Sequence, residues 1–302
     1  MIELQNVTKK FGSFTAVSDI SFTVNDGSLY GLIGYNGAGK TTLLKTITSV
    51  YKADGGKVLL DGEVAFDNER IKQQVFYVPD DIYFQPYSSM EKMARFYNGY
   101  YSNFSFDTFH KLAEVFGLDT KARLNSFSKG MQRQAEVVLG FSTQPKFMFF
   151  DETFDGLDPA KRVLIKNLIT EYMRERNASI IVSSHDLHEL EGLCDHFGLI
   201  NGKKLALNSS ISELSVNRAK FRLVFPTDVT QEQLTALGID VKSFKPDGRL
   251  LTITVKGNEN EIAHKLSTLS PAMIESRPLT LEEVFLDEME GTDYDFSQIF
   301  SK

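Results

Sequence analysis

A chain of 302 residues exceeds the roughly 250 residues at which a single core stops growing, so it is expected to fold as one large domain and one small one. Hydrophobic residues at 42% and charged residues at 24% are ordinary globular values, and no apolar run approaches the roughly 18 residues of a membrane span, so an integral membrane protein is excluded. A net charge of −7 argues against a phosphate backbone as the main partner, and no nucleic acid is expected.

The N-terminal stretch carries Lys9 and Lys10 with no apolar segment behind them, so no secretory leader is expected and the chain is expected in the cytoplasm. Its one cysteine, Cys194, has no internal partner and fits a reducing compartment. Residues 2–8 and 19–25 alternate apolar and polar, which predicts half-exposed antiparallel strands beside a parallel core. Residues 29–33, 75–78, 147–150 and 179–183 are short and almost continuously apolar, as strands buried on both faces are. Helical patterns separate them, so the class is α/β with a mixed sheet. Ten aromatics fall between Tyr83 and Phe109 and need burial, either in a local core or against a partner; exposed tyrosines are expected at an interface more than phenylalanines. Residues 208–217 are polar and serine-rich and read as a connector. Beyond them the pattern predicts strand 220–225, helix 230–237, strands 239–244 and 250–256, helix 258–269 and strand 272–276. That is a ferredoxin-like β-α-β-β-α-β order, with a last helix over 280–289. No internal repeat is present.

Chemistry begins at Gly34-Tyr35-Asn36-Gly37-Ala38-Gly39-Lys40-Thr41, which satisfies G-x-x-x-x-G-K-[ST] between a predicted strand and an apolar helical segment. Glycines let successive N–H groups turn inward on phosphates, the helix N-terminus adds a favourable dipole, and Lys40 supplies a movable charge. Thr41 is expected to give its hydroxyl to Mg, and Thr42 to add a phosphate hydrogen bond. Asp151 and Glu152 end the strand over 147–150, where ligand chemistry collects in α/β sheets. Asp151 is placed to organise Mg through water, and Glu152 to orient and deprotonate an attacking water. His185 ends another apolar strand and can reach a γ-phosphate. His188, Cys194 and His196 are ligand types close in sequence, but the amphipathic helix pattern there favours packing and surface roles over a metal site.

In this order the residues resemble the nucleotide-binding subunits of ABC transporters, over about residues 1–207. Ser128-Lys129-Gly130-Met131-Gln132 stands where that family has its LSGGQ segment, at the start of an apolar helix, and Ser128 also suits a helix cap. Asp151-Glu152 matches the second carboxylate motif, Gly156-Leu157-Asp158 the dimer-contact loop, His185 the switch histidine, and Phe11 the aromatic stacked on adenine. Two segments depart from the pattern. Lys129 and Met131 replace Gly and Gln, an SKGM form familiar among bacterial members. Asp80 replaces the glutamine after a Tyr-x-Pro-like strand end; a carboxylate there can still bind Mg or water, with shorter reach and a charge.

The resemblance implies a P-loop ABC-type domain over 1–210, with an antiparallel β subdomain and a helical subdomain at about 82–145, and a small α+β accessory domain over 211–302. It implies ATP and Mg as ligands, and two composite sites in a homodimer or heterodimer. In each, Ser128 and the Gly130 N–H of one subunit meet a γ-phosphate held by the loop of the other, while Asp158 couples the two. An integral membrane subunit docked on the aromatic region would make the chain a peripheral protein of the inner face of the membrane. The segment Pro278 to Leu286 resembles the closing helix of bacterial export-type subunits, which points to an exporter. A soluble ABC ATPase of ribosomes, DNA or cofactor assembly shares the same ATP residues; a single cassette, the acidic total and no long coiled-coil insertion weigh against it. Glu152 and His185 weigh against a regulator that binds ATP without turnover.

Overall fold

The computed structural model describes residues 1–210, 213, 218–226, 229–279 and 283, and the chain separates into compact units over residues 1–208 and 209–302.

In the first unit, β1 (Ile2–Phe11), β2 (Phe14–Val24), β4 (Gly55–Leu60) and β5 (Glu63–Val64) form an antiparallel sheet in the order β2-β1-β4-β5. A second sheet holds β3 (Leu29–Ile33), β6 (Val75–Val78), β7 (Phe147–Asp151), β8 (Ser179–Ser184), β9 (His196–Asn201) and β10 (Lys204–Ser210), in the order β10-β9-β3-β8-β7-β6. Its pairs from β9 through β6 are parallel. Edge strand β10 returns after only Gly202 and Lys203, a connection that closes an antiparallel pair, so the sheet is mixed. The core sheet is mixed through β10 rather than through the two N-terminal strands, which are antiparallel beside this core, as expected, and build a sheet of their own. Each has one apolar face, and Leu4, Val7, Ile20 and Phe22 bury it in the cluster that holds Tyr30 and Leu32 of β3 and Phe147 and Phe149 of β7. Helix α1 (Lys40–Ile47) contributes Leu43, Leu44 and Ile47 to the same cluster, which fixes its N-terminus at the end of β3.

A short α2 (Glu69–Lys72) leads into β6, and three helices follow: α3 (Met90–Asn98), α4 (Phe106–Phe116) and α5 (Lys129–Ser142). Each begins at a serine whose hydroxyl accepts a first-turn N–H: Ser89 from Lys92, Ser105 from Thr108 and Ser128 from Met131. Of the aromatics between 83 and 109, Phe84, Phe104 and Phe109 are buried, while Tyr83, Tyr87 and Tyr100 are 79%, 71% and 65% exposed, as are Phe96 and Phe106 in part. Tyr97 and Tyr101 turn inward because their hydroxyls find acceptors: Glu136 Oε1 at 3.1 Å and the Val75 carbonyl at 3.2 Å. Helices α6 (Pro159–Arg176) and α7 (Leu187–Leu190) complete the unit.

Glu136 sits on α5, buried in this helical layer, and burial pushes its carboxyl up to about 7, against the smaller opposing pull of the Tyr97 hydroxyl. A raised acid costs stability as pH rises from the unfolded value through the folded one, and above that the loss is complete. Glu136→Gln keeps an acceptor for Tyr97 and removes the charge. Its stability relative to the parent is therefore expected to rise by on the order of 3 kcal/mol between pH 4 and pH 8, read from urea unfolding at the two pH values.

The second unit has β11 (Arg218–Val224), α8 (Gln231–Ala236), β12 (Asp240–Asp247), β13 (Leu250–Lys256), α9 (Glu259–Ser267) and β14 (Met273–Pro278). The strand order β12-β13-β11-β14, all antiparallel, is the ferredoxin-like one. Phe221, Leu223, Ile253 and Val255 of the sheet bury against Leu234 of α8 and Ile262 and Leu266 of α9. The expected last helix over 280–289 falls outside the described residues apart from Glu283. No helix among the described residues is long and apolar enough to cross a membrane.

Candidate active site

Register brings the ends of three parallel strands abreast: Ile33 pairs with Ser184, and Ser183 with Asp151. The loop from Gly34 to Gly39 leaves β3 there and turns into α1. Gly39 has φ +113, and a Cβ on it would lie 2.7 Å from the Ala16 carbonyl oxygen, so only glycine fits this turn under β2. Gly37, at φ +83, is exposed, and Ala38 is buried. A 390 Å³ cavity opens over the loop, and Asn36, Gly37, Gly39, Lys40, Thr41, Thr42, Asp80 and Glu152 all line it, with Phe14, Ala16 and Asp155.

Lys40 is 4% exposed. Its ammonium donates to the Gly34 carbonyl at 2.6 Å and the Tyr35 carbonyl at 3.3 Å, and pairs with Glu152 Oε1 at 2.9 Å. Glu152 itself is buried, with left-handed backbone at φ +46. Its Oε2 lies 2.8 Å from His185 Nδ1 and accepts the His185 N–H at 3.3 Å. Burial opposes ionisation of Glu152, but Lys40 and then His185 more than offset it and hold the carboxyl below its ordinary value. The hydrogen bond to Glu152 in turn raises His185, while burial raises Asp155. Glu152 lines the cavity, and its carboxylate, held ionised by Lys40 and His185 against burial, can accept a proton from a water there.

Asp151 is fully buried and held by two hydroxyls: Ser183 donates to Oδ1 at 2.6 Å and Tyr77 to Oδ2 at 2.9 Å. Burial and the Asp151 charge keep the Tyr77 phenol protonated, so it stays a donor. Thr41, Asp80 and Asp151 are hard oxygen donors, the set magnesium prefers. Glu152, Asp155 and His185 also bring ligand atoms within 4.8 Å of one another, but the Lys40 ammonium on Glu152 makes that group a proton network rather than a cation cage. Of the other ligand types, Cys194 is buried, with its thiol pushed up by burial, and His188 and His196 are exposed.

Eight predicted residues are not in the cavity wall: Gly34, Ala38, Asp151 and His185 adjoin residues that line it, whereas Phe11, Ser128, Gly130 and Asp158 lie apart. Phe11 packs its ring edge-on against Tyr51, centroids 5.3 Å apart, and the wall carries Phe14 from the same hairpin instead. Ser128 is exposed at the head of α5, and Gly130 beside it faces the Gly156 carbonyl. Asp158 is exposed and caps α6 by accepting the Lys161 N–H at 3.0 Å. Sequence reasoning missed Phe14, Tyr77, Asp155 and Arg133. Only Asp155 had a nearby signal, three residues past Glu152 and in the same turn.

A family model described as ABC transporter matches residues 17–155. ABC transporter ATP-binding protein YtrB of Bacillus subtilis is 28% identical over 96% of this chain and 99% of its own length. Nod factor export ATP-binding protein I of Burkholderia lata is 30% identical over 94% and 95%. Bacitracin transport ATP-binding protein BcrA of Bacillus licheniformis is 30% identical over 73% of each chain. Among solved structures, the ATP-binding subunit of an ABC transporter superposes with a TM-score of 0.66 at 25% identity, covering 71% of this chain and 91% of that one. The dimeric structure of a bacterial ABC transporter cassette shares the fold, with a TM-score of 0.63 at 19% identity over 70% and 99%.

Proposed function

The chain belongs to the ABC transporter ATP-binding proteins, a family of ATPases, and from that premise we propose that it powers an exporter by closing as a dimer on Mg-ATP beneath separate membrane subunits. One observation carries the dimer: Ser128, at the head of α5, is exposed and absent from the wall of its own chain's cavity, so it is free to complete a second copy's site. A γ-phosphate arriving from that copy would meet the Ser128 hydroxyl and the N-terminal N–H groups of a 14-residue helix. Asp158 from the neighbouring helix cap couples the pair of sites, and partner copies are identical or related chains.

Within each site the loop from Gly34 to Ala38, with Lys40 and Thr42, grips the triphosphate, and an aromatic of the β1–β2 hairpin, Phe11 or Phe14, covers adenine. Thr41 and Asp151, the latter through water, would hold magnesium, with Asp80 beside them, and the ion would supply neutralisation of phosphate charge. Water attacks the γ-phosphorus, the bond to the ADP oxygen breaks, and the water proton passes to Glu152 Oε1, leaving ADP and phosphate. His185 orients Glu152 through Oε2 and reaches toward the γ-phosphate. Only tighter binding of ATP to the closed pair can drive the membrane subunits, and hydrolysis releases them.

The exposed Tyr83, Tyr87 and Tyr100 with Phe96 suit the docking of the membrane subunit on the helical layer. Docked in this way, the chain sits peripherally on the inner face of the cell membrane. Purification of the tagged chain from detergent-solubilised membranes is expected to bring down one integral membrane protein with export-type spans. Its loss is expected on the double change Tyr83→Ala with Tyr87→Ala, with ATP binding intact. Recovery with ribosomes and no membrane protein would overturn the transporter reading.

A further inference from the structure

Arg133 stands one turn inside α5, five residues beyond Ser128, and is 8% exposed. Its guanidinium spans two loops of the active site. Nη2 donates to the Asp80 carbonyl at 2.6 Å and to Asp80 Oδ1 at 3.1 Å, while Nη1 donates to the Glu152 carbonyl. One planar fork therefore joins the second residue past β6, the residue just past β7 and the helix headed by Ser128. The backbone it grips needs holding. Glu152 is a non-glycine residue in the left-handed region, a conformation that persists only when its surroundings over-determine it. The Ser183 carbonyl and hydroxyl take its N–H, both at 3.2 Å, and Arg133 takes its carbonyl, so both peptide groups are fixed and the side chain is aimed between Lys40 and His185. Asp80 is also where the chain carries a carboxylate in place of a glutamine, and Arg133 supplies the charge that answers it.

We infer that Arg133 is a positioning residue: it sets the backbone of Glu152 and the carboxylate of Asp80 as one unit and ties both to the helix that carries Ser128. This rests on the reading of Glu152 as the acceptor of the water proton. A displacement of α5 when a second copy docks on Ser128 then moves the aim of Glu152 in the same chain. The fork geometry, not the charge alone, does this, because two guanidinium nitrogens reach carbonyls on separate loops, whereas a lysine donates from a single nitrogen.

The test uses the full chain with four variants, Arg133→Lys, Arg133→Gln, Asp80→Asn and Glu152→Gln. Single-turnover hydrolysis is measured alongside equilibrium binding of ATP in EDTA. Misaiming a catalytic group by about 1 Å costs about 100-fold in rate, so both Arg133 variants are expected to lose at least ~10-fold in turnover. Their ATP affinity should stay within about 3-fold of the parent, because Arg133 lies outside the phosphate cradle. Asp80→Asn is expected to lose less than Arg133→Lys, since the Asp80 carbonyl still accepts from Arg133. Parental turnover in Arg133→Lys would show that charge alone suffices, and an equal loss in affinity and turnover would show a general structural role; either overturns the inference. Turnover retained by Glu152→Gln would instead remove the reading on which it rests.

Discussion

Glu152→Gln is expected to bind ATP at least as well as the parent and to hydrolyse it about a thousand-fold more slowly, within the roughly 10²–10⁴-fold that a positioned proton acceptor contributes. The substitution keeps the shape of the side chain and an oxygen for the His185 N–H, which now donates to it at 3.3 Å. What it removes is a carboxylate that Lys40 and His185 hold ionised against its burial. A neutral amide beside Lys40 also no longer competes with phosphate for that ammonium, 2.9 Å from Oε1 in the parent. ATP should therefore accumulate between two copies, and light scattering should report a dimer that forms with ATP and persists. Release of phosphate at the parental rate would remove Glu152 from its role.

Much of this site was legible because its groups are set by local chain geometry. The glycine-rich loop from Gly34 to Gly39 is one continuous stretch between a buried strand and a helix. Asp151, Glu152 and His185 follow apolar strands whose parallel pairing places their ends side by side. Arg133 was not legible, since it acts across 53 and 19 residues of sequence through two carbonyl oxygens, and carbonyls have no residue signature. Tyr77 was hidden for a similar reason: in an apolar strand its ring reads as core, and only the Asp151 carboxylate gives its hydroxyl a purpose. Phe11 and Phe14 sit opposite each other across the β1–β2 turn, so sequence order could not say which one faces the cavity. The same limit explains the separate antiparallel sheet. Alternation shows that a strand has one apolar face, whereas the partner of that face is decided by tertiary packing.

Lys40→Met should be more damaging than Glu152→Gln, because in the proposed mechanism one ammonium serves both the grip on phosphate and the charge state of the proton acceptor. A charge-assisted hydrogen bond contributes about 1.5–3 kcal/mol, which sets a loss of roughly 10- to 150-fold in ATP affinity. The lower part of that range is expected, since Lys40 must leave the Gly34 and Tyr35 carbonyls to meet a phosphate. Loss of a preorganised donor to the transferring group removes a further factor of about 10²–10³ in turnover, so kcat/KM should fall by about 10⁴. A third effect is specific to this geometry. Lys40 is the strongest of the influences that lower Glu152, and without it burial is left to raise that carboxyl. With its folded value depressed, Glu152 adds stability above its unfolded value, and that stability is lost as pH falls through the folded value. In Lys40→Met this contribution to the acid limb of the stability–pH curve should flatten or reverse, while Lys40→Arg, which keeps the charge, should retain it. Calorimetric ATP binding and urea unfolding from pH 3 to pH 7 measure the two consequences separately. Unchanged ATP affinity in Lys40→Met would mean that the loop after β3 does not hold the triphosphate, whatever the acid limb shows.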